Sequence, residues 1–417
     1  MREMKDSGIE WVGQIPKDWD VVPHKRVMHK VKKICEQYSG EDIISLTMNG
    51  VIKRDLTAGG KMPTSFDGYQ YVKPNDLLLC LFDIDVTPRC VGVVKDYGVT
   101  SPAYSRFVMH DGYYNVYYDY LLRAIDDDKV FVHLSKNLRS SLTESDFGAI
   151  KTCVPSLAEQ KRIVTFLDAQ CAEIDTVLEK TRASIEEYKK LKQAIITQAV
   201  TKGIRGDRPM KDSGSVWFEE IPCNWVMKRI KYLFHIKKDI AGKEGYTVLS
   251  ITQRGIQPKD LSKNEGQIAA NYSQYQLLAP GDFAMNHMDL LTGWVDISKY
   301  SGVTSPDYRV FVLDDTEKND SSYYLYLMQM CYFNRIFYGL GQGVSGMGRW
   351  RLQADKFMNF PVVVPPVDEQ KEIVSYLNEK CKQLDTLIRN KQQYLTAIEN
   401  YKKSLIYEYV TGKKEVV

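Results

Sequence analysis

Few side chains in this sequence are arranged to make or break a covalent bond. Gly341-Gln342-Gly343-Val344-Ser345-Gly346 has the G-x-G-x-x-G spacing that can cradle a dinucleotide pyrophosphate. Its context is wrong for that role: an apolar helix-like run precedes it, no helix pattern opens after it, and no acidic residue is placed to take a ribose. The segment reads instead as a Gly-rich loop. Its glycines permit close backbone approach, and Gln342, Arg349 and Arg351 supply hydrogen-bond donors. Glu369-Gln370-Lys371 contains the E-x-K fragment of many nucleases, and Glu159-Gln160-Lys161 repeats it. Both open helical patterns, where an acidic residue complements the helix dipole, and no Pro-Asp precedes either at a useful spacing. There is no G-x-x-x-x-G-K-[ST], no Asn-Pro-Pro-Tyr or Asp-Pro-Pro-Tyr, and no grouping of Ser, His and Asp that suggests a triad. Cysteines 35, 80, 90, 153, 171, 223, 331 and 381 form no C-x-x-C pair, so neither zinc nor any other metal is expected. The chain has no secretory apolar stretch and no apolar run of about 18 residues, so reduced thiols, a cytoplasmic location and no membrane span are expected. The chemistry left is non-covalent: recognition by a non-enzyme with no cofactor of its own.

The elements that would position such side chains come from a tandem duplication. Residues 4–19, MKDSGIEWVGQIPKDW, recur as MKDSGSVWFEEIPCNW at 210–225. GVTSPAYSRFVM at 98–109 recurs as GVTSPDYRVFVL at 302–313, and Lys73-Pro-Asn-Asp76 as Ala279-Pro-Gly-Asp282. VPSLAEQKRIVTFLDAQCAEIDTVL at 154–178 recurs as VPPVDEQKEIVSYLNEKCKQLDTLI at 364–388. Matches in the same order this many times mean that each half carries a leader, a variable body and a long tail. The bodies, about 20–153 and 226–363, read as mixed α/β domains with short β-rich runs punctuated by Pro, Gly and Asn. YYNVYYDYLLRAI (113–125) and SSYYLYLMQMCYFNRIF (321–337) have helical spacing and are expected to be core helices. Trp11, Trp19, Trp217 and Trp225 recur in the leaders and are expected to anchor them against a body or a helix end.

The tails carry one apolar stripe each. Ile163, Leu167, Ile174, Leu178, Ile185, Tyr188, Leu191, Ile195 and Ala199 are answered 210 residues later by Ile373, Leu377, Leu384, Ile388, Leu395, Ile398, Tyr401, Leu405 and Tyr409, at coiled-coil steps of three, four or seven. Cys171 and Cys381 sit in the same stripes. Ser156 with Glu159 forms an S-x-x-E capping box, and Gly203 and Gly412 mark the ends. A helix of roughly 43 residues is about 65 Å long, and it cannot bury its stripe alone. Two can bury theirs against each other. Connectivity and repeat symmetry make them antiparallel, with a body at each end of a pseudo-twofold pair. A dumbbell of this kind could read two patches on a duplex, whose helical repeat is about 34–36 Å.

Across most of its length the chain resembles the specificity (S) subunits of type I restriction–modification systems. The resemblance is carried by the MKDSG…W…IP…W leader and by P-[SP]-x-x-EQ opening a long helix, both twice. Pro155, Glu159, Gln160 and Ile163 carry the helix motif in one half; Pro365, Pro366, Glu369, Gln370 and Ile373 carry it in the other. The resemblance implies an α+β fold with two tandem α/β target recognition domains separated by long antiparallel coiled-coil helices. The expected boundaries are 1–153, 154–203, 204–363 and 364–417. It also implies a bipartite double-stranded DNA target, with one half-site per domain. Two methyltransferase (modification) subunits would bind S-adenosylmethionine and methylate adenine, and two restriction (translocase/nuclease) subunits can join them. The bodies are where such proteins vary. The first lacks a counterpart of GLGQGVSGMGRWR at 339–351, so unlike half-sites are expected.

Net charge is +3, from 56 Lys and Arg against 53 Asp and Glu, so a DNA binder must concentrate its positive charge on one face. Polar and basic residues of the body loops are the candidates for that face. In the first body they are Asn49, Lys53, Arg54, Arg89, Ser101, Tyr104 and Arg106. In the second they are Gln253, Arg254, Lys259, His287, Thr304, Ser305 and Tyr308, with Gln342, Arg349 and Arg351 from the Gly-rich loop. Arg suits guanine and Asn or Gln suits adenine in the major groove, while Lys more often grips phosphate. Ser101-Pro102 and Ser305-Pro306 recur, and turn shaping is their competing role. The alternative for the whole chain is a coiled-coil scaffold that bridges two protein partners without reading DNA.

Overall fold

The computed structural model describes residues 2–57, 63–87, 89–127, 129–135, 140–260, 269, 271–343 and 350–416. The chain forms two compact units, one of residues 1–182 with 393–417, the other of residues 183–392. Helices and short antiparallel strands are mixed throughout, which is the α+β class expected.

In the first unit the leader closes as a hairpin, Met4–Asp6 against Gln14–Pro16. The body is then zipped shut by its own ends, with Asp20–Pro23 pairing Lys151–Val154. Between them lies a four-stranded antiparallel sheet in the order Met28–Lys30, Ser105–Met109, Leu77–Leu79, Val91–Val93. The helix Asn115–Asp127 covers it, with Tyr117, Tyr118, Leu121, Leu122 and Ile125 buried. The run 113–125 is therefore a core helix, as its spacing predicts. A hairpin of Ile44–Thr47 and Gly50–Lys53 and a pair of Gln70–Val72 with Gly98–Thr100 form the rest of the β framework.

The second unit repeats the plan. Met210–Asp212 pairs Glu220–Pro222, and Val226–Arg229 pairs Pro361–Val364. The sheet order is Phe234–Lys237, Arg309–Leu313, Phe283–Met285, Val295–Ile297, covered by the helix Ser321–Phe333. Gly255 and its counterpart Gly50 both have positive φ, 94° and 97°, at the tight turn of their hairpins, a conformation open mainly to glycine.

Two long helices are shared by the units: Leu157–Lys202, of 46 residues, and Val367–Val410, of 44. Within the first unit, Asp175 meets Lys402 at 2.6 Å, Arg182 meets Glu399 at 2.6 Å, and Phe166 packs on Tyr409 with ring centroids 4.4 Å apart. Within the second, Lys192 meets Asp385 at 2.7 Å and Arg205 meets Glu372 at 2.8 Å. Low numbers face high numbers in both, so the helices run antiparallel. These ion pairs are largely exposed and each contributes well under about 1 kcal/mol; apolar burial holds the pair together. Ile163, Leu167, Leu178, Ile185, Ile373, Leu377, Leu384 and Leu405 are buried, while Ile174, Ile195, Ile388, Leu395 and Ile398 are half-buried. Leu191 departs from expectation. It is 46% exposed, whereas Ile196, five residues on, is 6% exposed and takes part in the core of the second unit. The buried side of the helix there faces the body as well as the partner helix, so a single stripe does not describe it.

Gly203 and Gly412 take positive φ, 77° and 70°, just beyond the two helix ends. The start of the first helix differs from a capping box. Ser156 Oγ accepts from Glu159 N at 3.3 Å, but the Glu159 carboxylate turns away, accepting from Trp19 Nε1 at 3.0 Å and pairing with Arg2. The second unit repeats this: Glu369 accepts from Trp225 Nε1 at 2.9 Å and pairs with Arg208. The leader tryptophans Trp19 and Trp225 thus anchor the helix starts. Gln160 and Gln370 complete the joint, accepting from Tyr114 N and Asp320 N and donating to the Pro155 and Pro365 carbonyls. The E-Q pair of the helix motif fastens leader, body and helix together and has no catalytic geometry. Among the described residues no helix is long and apolar enough to cross a membrane, and all eight cysteines are free thiols, seven of them buried.

Candidate nucleic-acid interface

The sequence-predicted side chains fall into three groups. The first is exposed and reachable: Asn49 at the 47–50 turn, Lys53, and in the second body Gln253, Arg254, Gln342 and Arg351. Lys53 is held at 2.7 Å by Asp42. Gln253 reaches only the Thr292 carbonyl, at 3.4 Å. Arg54 and Lys259 are half-exposed and each has an interaction partner. Arg349 lies outside the described residues.

The second group is structural. Arg106 is 6% exposed; its Nε donates to Asp76 Oδ2 at 2.6 Å and a terminal nitrogen donates to the Tyr71 carbonyl at 3.1 Å. Asp76 in turn accepts from Lys73 N, so the pair closes a turn next to the central sheet strand and leaves no guanidinium to offer DNA. Thr304 is fully buried, with Oγ1 donating to Leu249 O at 3.1 Å. These two are corrections to the sequence reading: strand alternation turns their side chains inward. Ser101 and Ser305 are held by the other role weighed for them. The carbonyls of Ser101 and Tyr104 accept from Gln70 Nε2, and those of Ser305 and Tyr308 from Gln276 Nε2, so a buried glutamine shapes the same turn in both bodies. Arg89 is largely committed, donating from Nε to Val91 O at 2.7 Å and lying 3.7 Å from Asp119.

The third group converges. In the second body, His287, Tyr308, Gln342 and Arg351 line one cleft of about 780 Å³, together with Lys238 and Arg309, which the sequence reading missed. Four separate segments build it. Lys238 follows the edge strand, His287 follows the strand Phe283–Met285, Tyr308 and Arg309 enter the central strand, and Gln342 and Arg351 sit on a short β pair. The β pair is fixed by Leu352 N donating to His287 O at 2.9 Å and by Trp350, stacked on Tyr338 at 5.2 Å. Gln353 Nε2 donates to Gln342 Oε1 at 2.9 Å, which orients the Gln342 amide.

Arg309 is 6% exposed. It donates to Leu352 O at 2.9 Å and lies 5.0 Å over the Phe357 ring. Among the described residues it forms no ion pair. Burial and the neighbouring Arg351 push its guanidinium down to about 10, with Tyr332 and Asp355 opposing. His287 is equally buried and its Nδ1 has no hydrogen-bond partner. Burial first, then Arg309 and Arg351, push its imidazole down to about 3, so it is neutral near pH 7. The signal that could have found Arg309 is the repeat itself: in the shared GVTSP…F segment it stands opposite Ser105 of the first body.

A cavity of about 350 Å³ in the first body is lined by Thr47, Met48, Phe82, Thr87, Arg89 and Tyr104 among others. Opposite Arg309, His287 and Arg351 the first body carries Ser105, Leu81 and Ser141, while Lys32 matches Lys238. The geometry therefore offers two frames alike in topology and unlike in the side chains they present.

Known proteins resemble this chain in sequence and fold. Residues 222–400 match the sequence model of the family described as "Type I restriction modification DNA specificity domain". The type I restriction enzyme MjaVIII specificity subunit of Methanocaldococcus jannaschii is 22% identical over 65% of this chain, and the chain spans 63% of that protein's length. The provisionally named type I restriction enzyme MjaX specificity subunit of the same organism is 22% identical over 97% of this chain and 96% of its own length. A chain from a structure described as "Structural basis underlying complex assembly and conformational transition of the type I R-M system" has the same fold. It aligns with a TM-score of 0.69 at 13% identity, over 96% of this chain and 99% of that one. With its doubled leader, its doubled E-Q joint and its pair of antiparallel helices, the chain is similar to type I restriction enzyme specificity subunits, and its residues 222–400 match their DNA specificity domain.

Proposed function

We propose that this chain is a non-catalytic reader of a bipartite double-stranded DNA sequence, one half-site per body. It would act in a complex with two modification subunits that bind S-adenosylmethionine and methylate adenine; restriction subunits join where they are present. The helices shared by the two units set the gap between the half-sites. The expected domain limits of 1–153, 154–203, 204–363 and 364–417 describe readers and spacers in this scheme. The observation that carries the reading is the pairing of one frame with two different linings. The leader hairpin, E-Q joint and buried turn glutamine recur, while Arg309, His287 and Arg351 of the second body stand opposite Ser105, Leu81 and Ser141. A scaffold that only bridged proteins would have no use for that divergence inside a repeated frame.

Reconstitution with the modification subunits tests the reading. Adenine methylation confined to one split sequence is the expected result, with a footprint on both halves. Absence of both methylation and footprint would remove it. Affinity that falls linearly on a log–log plot as salt rises separates DNA reading from a protein bridge with an apolar seam, which responds little.

A further inference from the structure

We propose that the cleft of the second body is an anion site that takes one phosphate group of the DNA backbone, held by Arg309, Arg351 and Lys238, and that the first body has no such site. This rests on the DNA-reading role proposed above and assigns a specific ligand chemistry to one body.

Lys238, Arg309 and Arg351 line the cleft, and no carboxylate does so among the described residues. Asp355 is near enough to act on Arg309 through space but forms no ion pair with it. A guanidinium that is 94% removed from solvent without a carboxylate is costly to hold charged, and an anion arriving from outside would offset that cost. His287 adds an Nδ1 with no hydrogen-bond partner at the same 6% exposure.

The lysine of the same four-stranded sheet is compensated. Lys237 reaches Asp282 at 2.7 Å, just as Arg106 reaches Asp76 in the first body. The two pairs are equivalent although the cation has changed strands: Lys237 sits opposite Val310, and Val310 stands where Arg106 does. Arg309 is thus an additional cation, present beyond the charge that the frame needs. Ladder pairing fixes its counterpart. Arg309 pairs Met285 and Ser105 pairs Leu79. Leu352 N donates to His287 O as Leu142 N donates to Leu81 O, which sets His287 opposite Leu81 and Arg351 opposite Ser141. Two of the changes put an arginine where the first body has serine, the third puts an imidazole where it has Leu81, and all three fall in one cleft. A base edge would be read by a mixture of donors and acceptors. Here Gln342 Oε1 is taken by Gln353 Nε2, and Gln276 spends its Nε2 donor on the Ser305 and Tyr308 carbonyls. A surplus of cationic donors fits a phosphate.

The test uses the full chain with a duplex of random sequence over a series of salt concentrations. In parallel, its thermal unfolding is followed with inorganic phosphate against chloride at equal ionic strength. Arg351→Ser introduces the residue of the first body at an exposed position, so folding is not at stake. Lys238→Gln is a second exposed variant. Each is expected to reduce the slope of log affinity against log salt by about 1. Each should also blunt a saturable phosphate stabilisation seen in the unaltered chain. If the unaltered chain binds DNA and both variants keep its slope and its phosphate response, the anion site is wrong while DNA reading stands. If the unaltered chain binds no DNA yet phosphate stabilises it and not the variants, the anion site stands and DNA reading falls. If neither DNA nor phosphate binds, both fall.

Discussion

Replacing Glu369 by alanine probes how the long helices are fixed to their bodies. Glu369 is 2% exposed and opens the second long helix. Its carboxylate takes the indole N–H of the fully buried Trp225 at 2.9 Å, pairs with Arg208, and is approached by Asn224 Nδ2 at 3.4 Å. Burial pushes the carboxyl up, but these hydrogen bonds and the Arg208 charge outweigh it and hold the carboxyl below its usual range. Alanine leaves a buried indole N–H unsatisfied, which costs about 1–3 kcal/mol, and removes a charge-assisted bond of about 1.5–3 kcal/mol. Arg208 keeps a route to solvent, with its side chain 15% exposed, so the two losses do not add in full and about 3 kcal/mol is expected. In a unit of this size that is roughly 6–12 °C in the melting temperature. Glutamine keeps an acceptor for Trp225 and should cost about 1 kcal/mol. The sign with pH follows from the depressed carboxyl. Its stabilisation is complete above the unfolded carboxylate range and is lost as pH falls through the lower folded value, so Glu369→Gln should flatten the acid limb. Denaturant unfolding with hydrogen exchange localises the loss to the pairing of Val226–Arg229 with Pro361–Val364. A change below about 0.5 kcal/mol for alanine, or equal losses for alanine and glutamine, would refute the argument.

Three further predictions follow from the same geometry. Lys237→Val should cost about 2–4 kcal/mol by leaving Asp282 buried without its cation, and adding Val310→Arg should restore at least half by rebuilding the Arg106–Asp76 arrangement; denaturant midpoints decide it. Leu191→Glu should change stability by less than about 0.5 kcal/mol, whereas Ile196→Ala should cost about 2–4, because only the second is buried. His287 has a folded value near 3, below its unfolded value near 6.5, so it costs stability as pH falls from 6.5 towards 3; His287→Leu should make unfolding less acid-sensitive in that window.

The repeat made the frame legible. Leader, body and tail recur in order, and the stripes from Ile163 and Ile373 require partner helices, so connectivity and repeat symmetry make the pairing antiparallel, while the α+β class is what the resemblance implies. What spacing does not contain is which polar side chains of a strand turn inward. Arg106 and Thr304 look like loop donors beside the recurrent Ser-Pro, yet sheet pairing aims one at Asp76 and the other at Leu249. The cleft was half legible for the same reason. His287, Tyr308, Gln342 and Arg351 were visible as polar residues near turns, but their convergence depends on four segments meeting in three dimensions. Arg309 begins the central strand of the second body, and only its contrast with Ser105 marks it. Leu191 shows the limit of a single heptad stripe where a helix is flanked by both a partner helix and a body.

Long-read methylation sequencing of cells carrying this chain with its modification subunits, before and after the second body is exchanged for that of a relative, tests the central claim most directly. A split adenine-methylated sequence in which the exchange alters one half and leaves the other half unchanged is the predicted result. Methylation at an unsplit sequence, or a change in both halves, would contradict one reader per body.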